Sequence, residues 1–141
     1  MKTKTTVLKG SNPKREWVLI DLSGKTLGRA ATEIAAILIG KNKTTFSYHR
    51  DDGDYVVAIN AKDIVVTGKK LKQKIYYHHT AFAGHLNEIS LKELMAKDPR
   101  QVIEFAVHGM LPKNHLRPLR MRRLKIYADA QHKYADKLGK K

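Results

Sequence analysis

The sequence predicts an α/β domain in which a mostly parallel sheet is flanked by helices on both faces. Trp17-Val18-Leu19-Ile20 and Tyr55-Val56-Val57-Ala58-Ile59 are continuous apolar runs. Strands covered on both sides read this way, whereas half-exposed antiparallel strands alternate. The first run also leads through a short polar turn, Asp21 to Lys25, into helical periodicity, which is the opening half of a β-α-β unit. With 141 residues, 42% of them hydrophobic, the chain has room for one domain with a core and too little for two. Residues 1–141 are therefore expected to form a single domain, with a basic N-terminal arm at 1–15 and a basic tail at 129–141.

Taken in order, the arm at 1–15 has weak periodicity and is expected to be extended, ordering on a partner. After the first strand, Leu27, Ala30, Ala31, Ile34 and Leu38 recur at helical spacing and Gly40 supplies a stop. Ser23 or Thr26 is placed to cap its start. Lys41 to Asp54 reads as a polar loop entering the second strand. Ile64-Val65-Val66 and Ile75-Tyr76-Tyr77 are shorter strand candidates, and Thr67 to Lys74 between them reads as a turn or hairpin tip. Ser90 with Glu93 predicts a capping box for a helix over 91–97. Asp98, Pro99 and Gln101 predict the start of another. Val102, Ile103, Ala106 and Met110 mark that helix's buried side, with Gly109 just past its end. Leu124-Lys125-Ile126-Tyr127 alternates like a strand, and the polar end carries a short helix.

Charge is the strongest global signal. There are 28 Lys and Arg against 13 Asp and Glu, a formal net charge of +15. Such a charge costs self-repulsion that a bound polyanion relieves, and a phosphodiester backbone is the leading candidate. The stretch from Gly109 to Tyr127 carries six Lys or Arg, and no acid occurs from Phe105 to Ala128 or from Ile64 to Asn87. A membrane partner is not expected: no basic amphipathic helix with large apolar residues opposite its charge is visible, nor an apolar run of the roughly 20 residues that span a bilayer. The first ten residues lack the apolar core of a signal peptide. The absence of cysteine excludes disulfides and cysteine-based zinc sites.

Catalytic motifs fare poorly. Gly24-Lys25-Thr26 follows a strand and precedes a helix, but Leu19 stands where a phosphate loop needs its first glycine. A single phosphate at that helix start remains open. Asp51, Asp52 and Asp54 form the one acid cluster, which reads as Mg²⁺ ligands of a nuclease or, more plainly, as a turn entering a strand. His78 and His79 are adjacent, so in a strand they point to opposite faces and do not share a metal. They read equally as sheet-edge histidines or as groups that stack on a base or touch a phosphate.

Six collinear segments then resemble the bacterial form of the large-subunit ribosomal protein family thirteen. They are Gly24 to Arg29, Gly53 to Ala61, Val66 to Lys70, Tyr76 to Thr80, Ala106 to Asn114 and Leu124 to Ala128, within a match spanning about Trp17 to His132. The resemblance implies a three-layer α/β/α domain with a four-stranded, mostly parallel sheet. It also implies a non-catalytic cytoplasmic protein, without cofactor, metal or small-molecule substrate, that binds large-subunit ribosomal RNA, supports early assembly and touches neighbouring large-subunit proteins. Ala81, His85 and Asp129 replace glycines of the family pattern, so the 81–86 loop is expected to take its own path.

The expected RNA-binding residues are Lys41, Lys43, His49, Arg50, Lys69, Lys70, Lys72, Lys74, His78, His79, Lys113, Asn114, Arg117, Arg120, Arg122, Arg123 and Lys125. The arginines carry most weight, because a guanidinium grips two phosphates or stacks on an exposed base. The rivals are a metal-dependent nuclease or phosphohydrolase built on the acid cluster, and an RNA-binding translation regulator working away from the ribosome.

Overall fold

The structure, a computed structural model, describes residues 14–138. The expected arm at 1–15 therefore lies outside the described residues except for Lys14 and Arg15. The central sheet has three parallel strands in the order β1 (Trp17–Asp21), β2 (Tyr55–Ile59), β5 (Leu124–Ile126). The register runs Trp17 opposite Tyr55 and Val56 opposite Leu124. Ile64-Val65-Val66, expected as a strand, contributes one parallel bridge between Thr26 and Val65.

Alternation along the strands sorts the core onto one face. Ile20, Val56, Ala58 and Leu124 pack with α1 (Leu27–Ile39) and α4 (Pro99–Met110) in one cluster. The other face is more lightly covered. There Trp17 stacks on Tyr55 at 4.4 Å and on Tyr134 at 4.8 Å, α6 (Ala135–Leu138) contacts β1, and Leu19 stays 45% exposed. The tail up to Leu138 is thus tied to the sheet by its aromatic ring.

The helix ends show which local signals mattered. Gly40 closes α1 in the left-handed conformation, φ +85°, a shape that glycine adopts without strain. Thr26 occupies the N-cap position, yet its hydroxyl makes no cap bond; Leu27 N–H is met by the Val65 carbonyl at 2.9 Å instead. The capping box of α3 (Leu91–Lys97) forms as expected, with Ser90 and Glu93 satisfying each other's backbone N–H groups. Asp98 caps α4 and Pro99 opens it.

Three expectations are corrected. Gly109 does not end α4, which continues to Met110 and stops where Leu111 turns extended. Met110 is 49% exposed, off the buried stripe formed by Val102, Ile103 and Val107. The 67–74 segment is not a hairpin tip: it turns at Gly68 and forms the one-turn α2 (Lys70–Gln73). The hairpin lies further on, where β3 (Ile75–His79) pairs antiparallel with β4 (Leu86–Ser90) outside the central sheet. Its tip at 80–85 carries Gly84 at φ +80°, a left-handed turn that glycine adopts without strain.

Candidate nucleic-acid interface

The basic stretch after α4 does not lie flat on the surface. It contains α5 (Arg117–Arg122), and helical spacing puts Leu116, Arg120 and Arg123 on one side of it, facing inward. Arg120 is 1% exposed and Arg123 3%, burial that a guanidinium tolerates only when paired. The pairing comes from the loop before β2. Arg123 donates from both terminal nitrogens to the Asp51 carboxylate, at 2.5 and 2.6 Å, and a further bond to the Leu38 carbonyl at 3.1 Å. Arg120 places Nε 3.6 Å from Asp51 and donates from a terminal nitrogen to the Arg50 carbonyl at 3.4 Å.

The same loop holds its other acids in ion pairs. Lys43 bonds to Asp54 at 2.5 Å and to the carbonyls of Asp52 and Lys14. Arg50 pairs with Asp52 at 3.2 Å, and Arg15 lies 3.5 Å from Asp51. Burial pushes the Asp51 carboxyl upward, but the hydrogen bond and charge of Arg123, helped by Arg15 and Arg120, hold it below the usual carboxylate range. Gly53 makes the arrangement possible, because a Cβ there would sit 1.8 Å from the Leu38 carbonyl oxygen.

This ion hub corrects two readings. Arg120 and Arg123 do not face solvent, so the phosphate-gripping or base-stacking role expected of them fails on burial; they clamp the 41–54 loop to α5. Lys43 is largely engaged in the same way. Asp51, Asp52 and Asp54 are counter-ions to Arg123, Arg50 and Lys43, which leaves a nuclease reading without its ligands. Among the described residues no group of three or more His, Asp or Glu is placed to hold a metal ion.

The remaining expected residues fall into two sets, most of them exposed. Near the hub, Lys41, His49, Lys113, Asn114 and Arg122 are exposed. Arg117 is half-buried and donates to the His108 carbonyl at 3.5 Å. Lys125 is half-buried on the lightly covered sheet face, opposite Val57. The second set surrounds α2 and the β3–β4 hairpin: Lys69, Lys70, Lys72, Lys74, His78 and His79 are all exposed. Lys69, Lys70 and Lys72 form no ion pair among the described residues, while Lys74 lies 5.0 Å from the centroid of the Tyr76 ring.

Exposed aromatics are what sequence reasoning left out of the site. Tyr48 is 83% exposed, Phe82 78% and Tyr77 60%. The signal was present, since Tyr77 and Phe82 fall in the acid-free window from Ile64 to Asn87. Among the described residues no helix is long and apolar enough to cross a membrane.

Comparison with known proteins gives the polyanion a context. Residues 15–133 match the family model described as ribosomal protein L13. Similar curated proteins carry the name large ribosomal subunit protein uL13. One from Clostridioides difficile is 52% identical over 94% of this chain and 92% of its own length. One from Thioalkalivibrio sulfidiphilus is 49% identical over 93% and 92%, and one from Francisella tularensis subsp. holarctica is 52% identical over 92% and 91%.

Proposed function

The chain belongs to the ribosomal protein L13 family, and on that premise we propose that it is a non-catalytic, structural constituent of the large ribosomal subunit. It binds large-subunit ribosomal RNA, supports early subunit assembly, and works in the cytoplasm within the ribosome beside neighbouring large-subunit proteins. It acts as a single domain, with a basic arm at 1–15 and a basic tail at 129–141 whose Tyr134 docks on the sheet. The same membership leads us to infer that residues 64–66 supply the fourth strand of a three-layer α/β/α fold. The parallel bridge of Val65 to Thr26, at the N-cap of α1, supports that assignment.

The observation that carries the RNA reading is the partition of charge. In the 41–54 loop, acids and cations meet and the pairs turn inward. Around α2 and β3, from residue 64 to residue 87, no acid is supplied, and Lys69, Lys70 and Lys72 stand exposed and unpaired among the described residues. Lys41 on the hub loop, Arg122 on α5 and Lys113 in the segment before it stand exposed. Unpaired lysines held on folded elements neutralise phosphates and gain affinity by releasing condensed counterions.

Two measurements test this. Affinity for large-subunit RNA fragments is expected to fall steeply with salt, and a flat log K against log [salt] plot rules out phosphate binding. Sedimentation of cell extract is expected to place the protein with the large subunit. Residence in the free fraction favours a regulator acting off the ribosome.

A further inference from the structure

A groove of about 680 Å³ separates the β3–β4 hairpin from α4, within the ~300–1,000 Å³ typical of pockets that take small ligands. Its floor is apolar, and its rim carries the side-chain amides of Asn87 and Gln101. Phe105, 51% exposed, forms one wall, with the Tyr76 ring 5.4 Å away and tilted by 32°. Phe105 also borders a second groove of about 430 Å³ on its other flank, which contains Lys70 and Lys74. One aromatic ridge therefore has amide groups on one side and two lysines on the other.

We propose that this ridge is a nucleobase subsite. An unpaired base of the RNA stacks on Phe105 and turns its edge to Asn87 and Gln101, while the flanking phosphates run past Lys70 and Lys74. The inference rests on the reading of the chain as a ribosomal RNA-binding protein and names the part of the RNA that this face takes. Aromatic faces accept any base, and splayed-out loop nucleotides are the usual targets of such stacking. Side-chain amides offer a paired donor and acceptor that match a base edge. Charge selects RNA over an apolar segment of a protein, because residues 64–87 hold lysines and histidines and no acid.

The test titrates a large-subunit rRNA transcript, at several salt concentrations, with the wild type, Phe105→Ala, Phe105→Trp and the Lys70→Ala/Lys74→Ala pair. Phe105→Ala is expected to weaken binding about tenfold, the scale of one lost stack, with an unchanged salt slope. Phe105→Trp restores affinity, and the lysine pair lowers the slope by about 1–2 units. Phe105→Leu keeps the apolar bulk without the aromatic face and should lose as much as Ala, which covers the case of an unfolded Ala variant. Ultraviolet irradiation should attach a nucleotide to the peptide containing Phe105. If both Phe105→Ala and Phe105→Leu bind like the wild type while the lysine pair is weakened, the subsite is wrong and the RNA reading stands. A wild type without salt-dependent binding overturns both. Phe105 variants that keep RNA affinity but lose a purified neighbouring large-subunit protein assign the groove to protein and overturn the subsite.

Discussion

Replacing Asp51 with Asn tests the claim that the most basic part of the chain is partly interior. The substitution keeps shape and removes one charge. It leaves Arg120 and Arg123, 1% and 3% exposed, without the carboxylate they share. Breaking a buried ion pair from one side costs about 3–5 kcal/mol, because the other charge stays buried. The Asp51 side chain is 15% exposed and Arg15 reaches it from the rim, which places the expected loss near the lower end, about 3 kcal/mol. At a urea slope of about 1.5–2 kcal/mol/M the midpoint falls by about 1.5–2 M. The pH dependence follows from the direction of the shift. The folded-state value of Asp51 is lowered, so its stabilisation is present above the unfolded value of about 4 and is lost as pH falls through the folded value. The wild type and Asp51→Asn should therefore differ fully at pH 7 and converge in acid. A difference below about 0.5 kcal/mol at pH 7, within the range of ordinary surface changes, would refute the hub as a source of stability.

Other outcomes are equally specific. Gly53→Ala forces backbone away from the Leu38 carbonyl and should destabilise by about 3 kcal/mol or more, since neither side can yield as a flexible side chain does; chemical denaturation checks it. Changing Lys69, Lys70 and Lys72 together to Ala should leave the urea midpoint nearly unchanged but reduce the salt slope of RNA binding by about 2–3 units, read by filter binding. Arg122→Ala should weaken RNA binding at little cost in stability, and Arg123→Ala should do the reverse, which thermal melts and binding curves on the same two proteins resolve. Ser90→Ala removes the capping box of α3 and should cost about 1 kcal/mol.

Legibility in the sequence followed how local each determinant is. The strands at Trp17 and Tyr55, α1 with its Gly40 stop, and the Ser90 box are set by residues a few positions apart, and each formed where periodicity put it. The hairpin was missed because Leu86-Asn87-Glu88-Ile89-Ser90 neither alternates nor runs apolar, and its pairing with β3 is what makes it a strand. The site divided along the same line. Exposed lysines in acid-free windows were readable from charge alone. The inward turn of Arg123 was not, because its partner Asp51 lies 72 residues earlier. A hint existed in the spacing of Leu116, Arg120 and Leu124, an i, i+4 stripe in which an arginine takes an apolar position. Three aspartates crowded before a strand in an acid-poor chain were the other half of that signal.

The hub also has a consequence for the exposed face. It joins three aspartates to five cations, Arg15, Lys43, Arg50, Arg120 and Arg123, so even the acid-rich part of the chain keeps an excess of positive charge. Arg15, Lys43 and Arg50 form its rim, with side chains 29%, 21% and 18% exposed. Pairing inside the hub fixes the 41–54 loop against α5, and that rigidity holds Lys41, His49 and Arg122 in a set geometry. A lysine on a free tail loses its conformational freedom when it meets a phosphate, whereas one on a clamped loop has surrendered part of it on folding. The three hub aspartates, too few to balance the surface charge, act instead as anchors that preorganise it. Loss of Asp51 is then expected to weaken RNA binding through Lys41 and Arg122 as well as through stability, although Asp51 itself can only repel a phosphate.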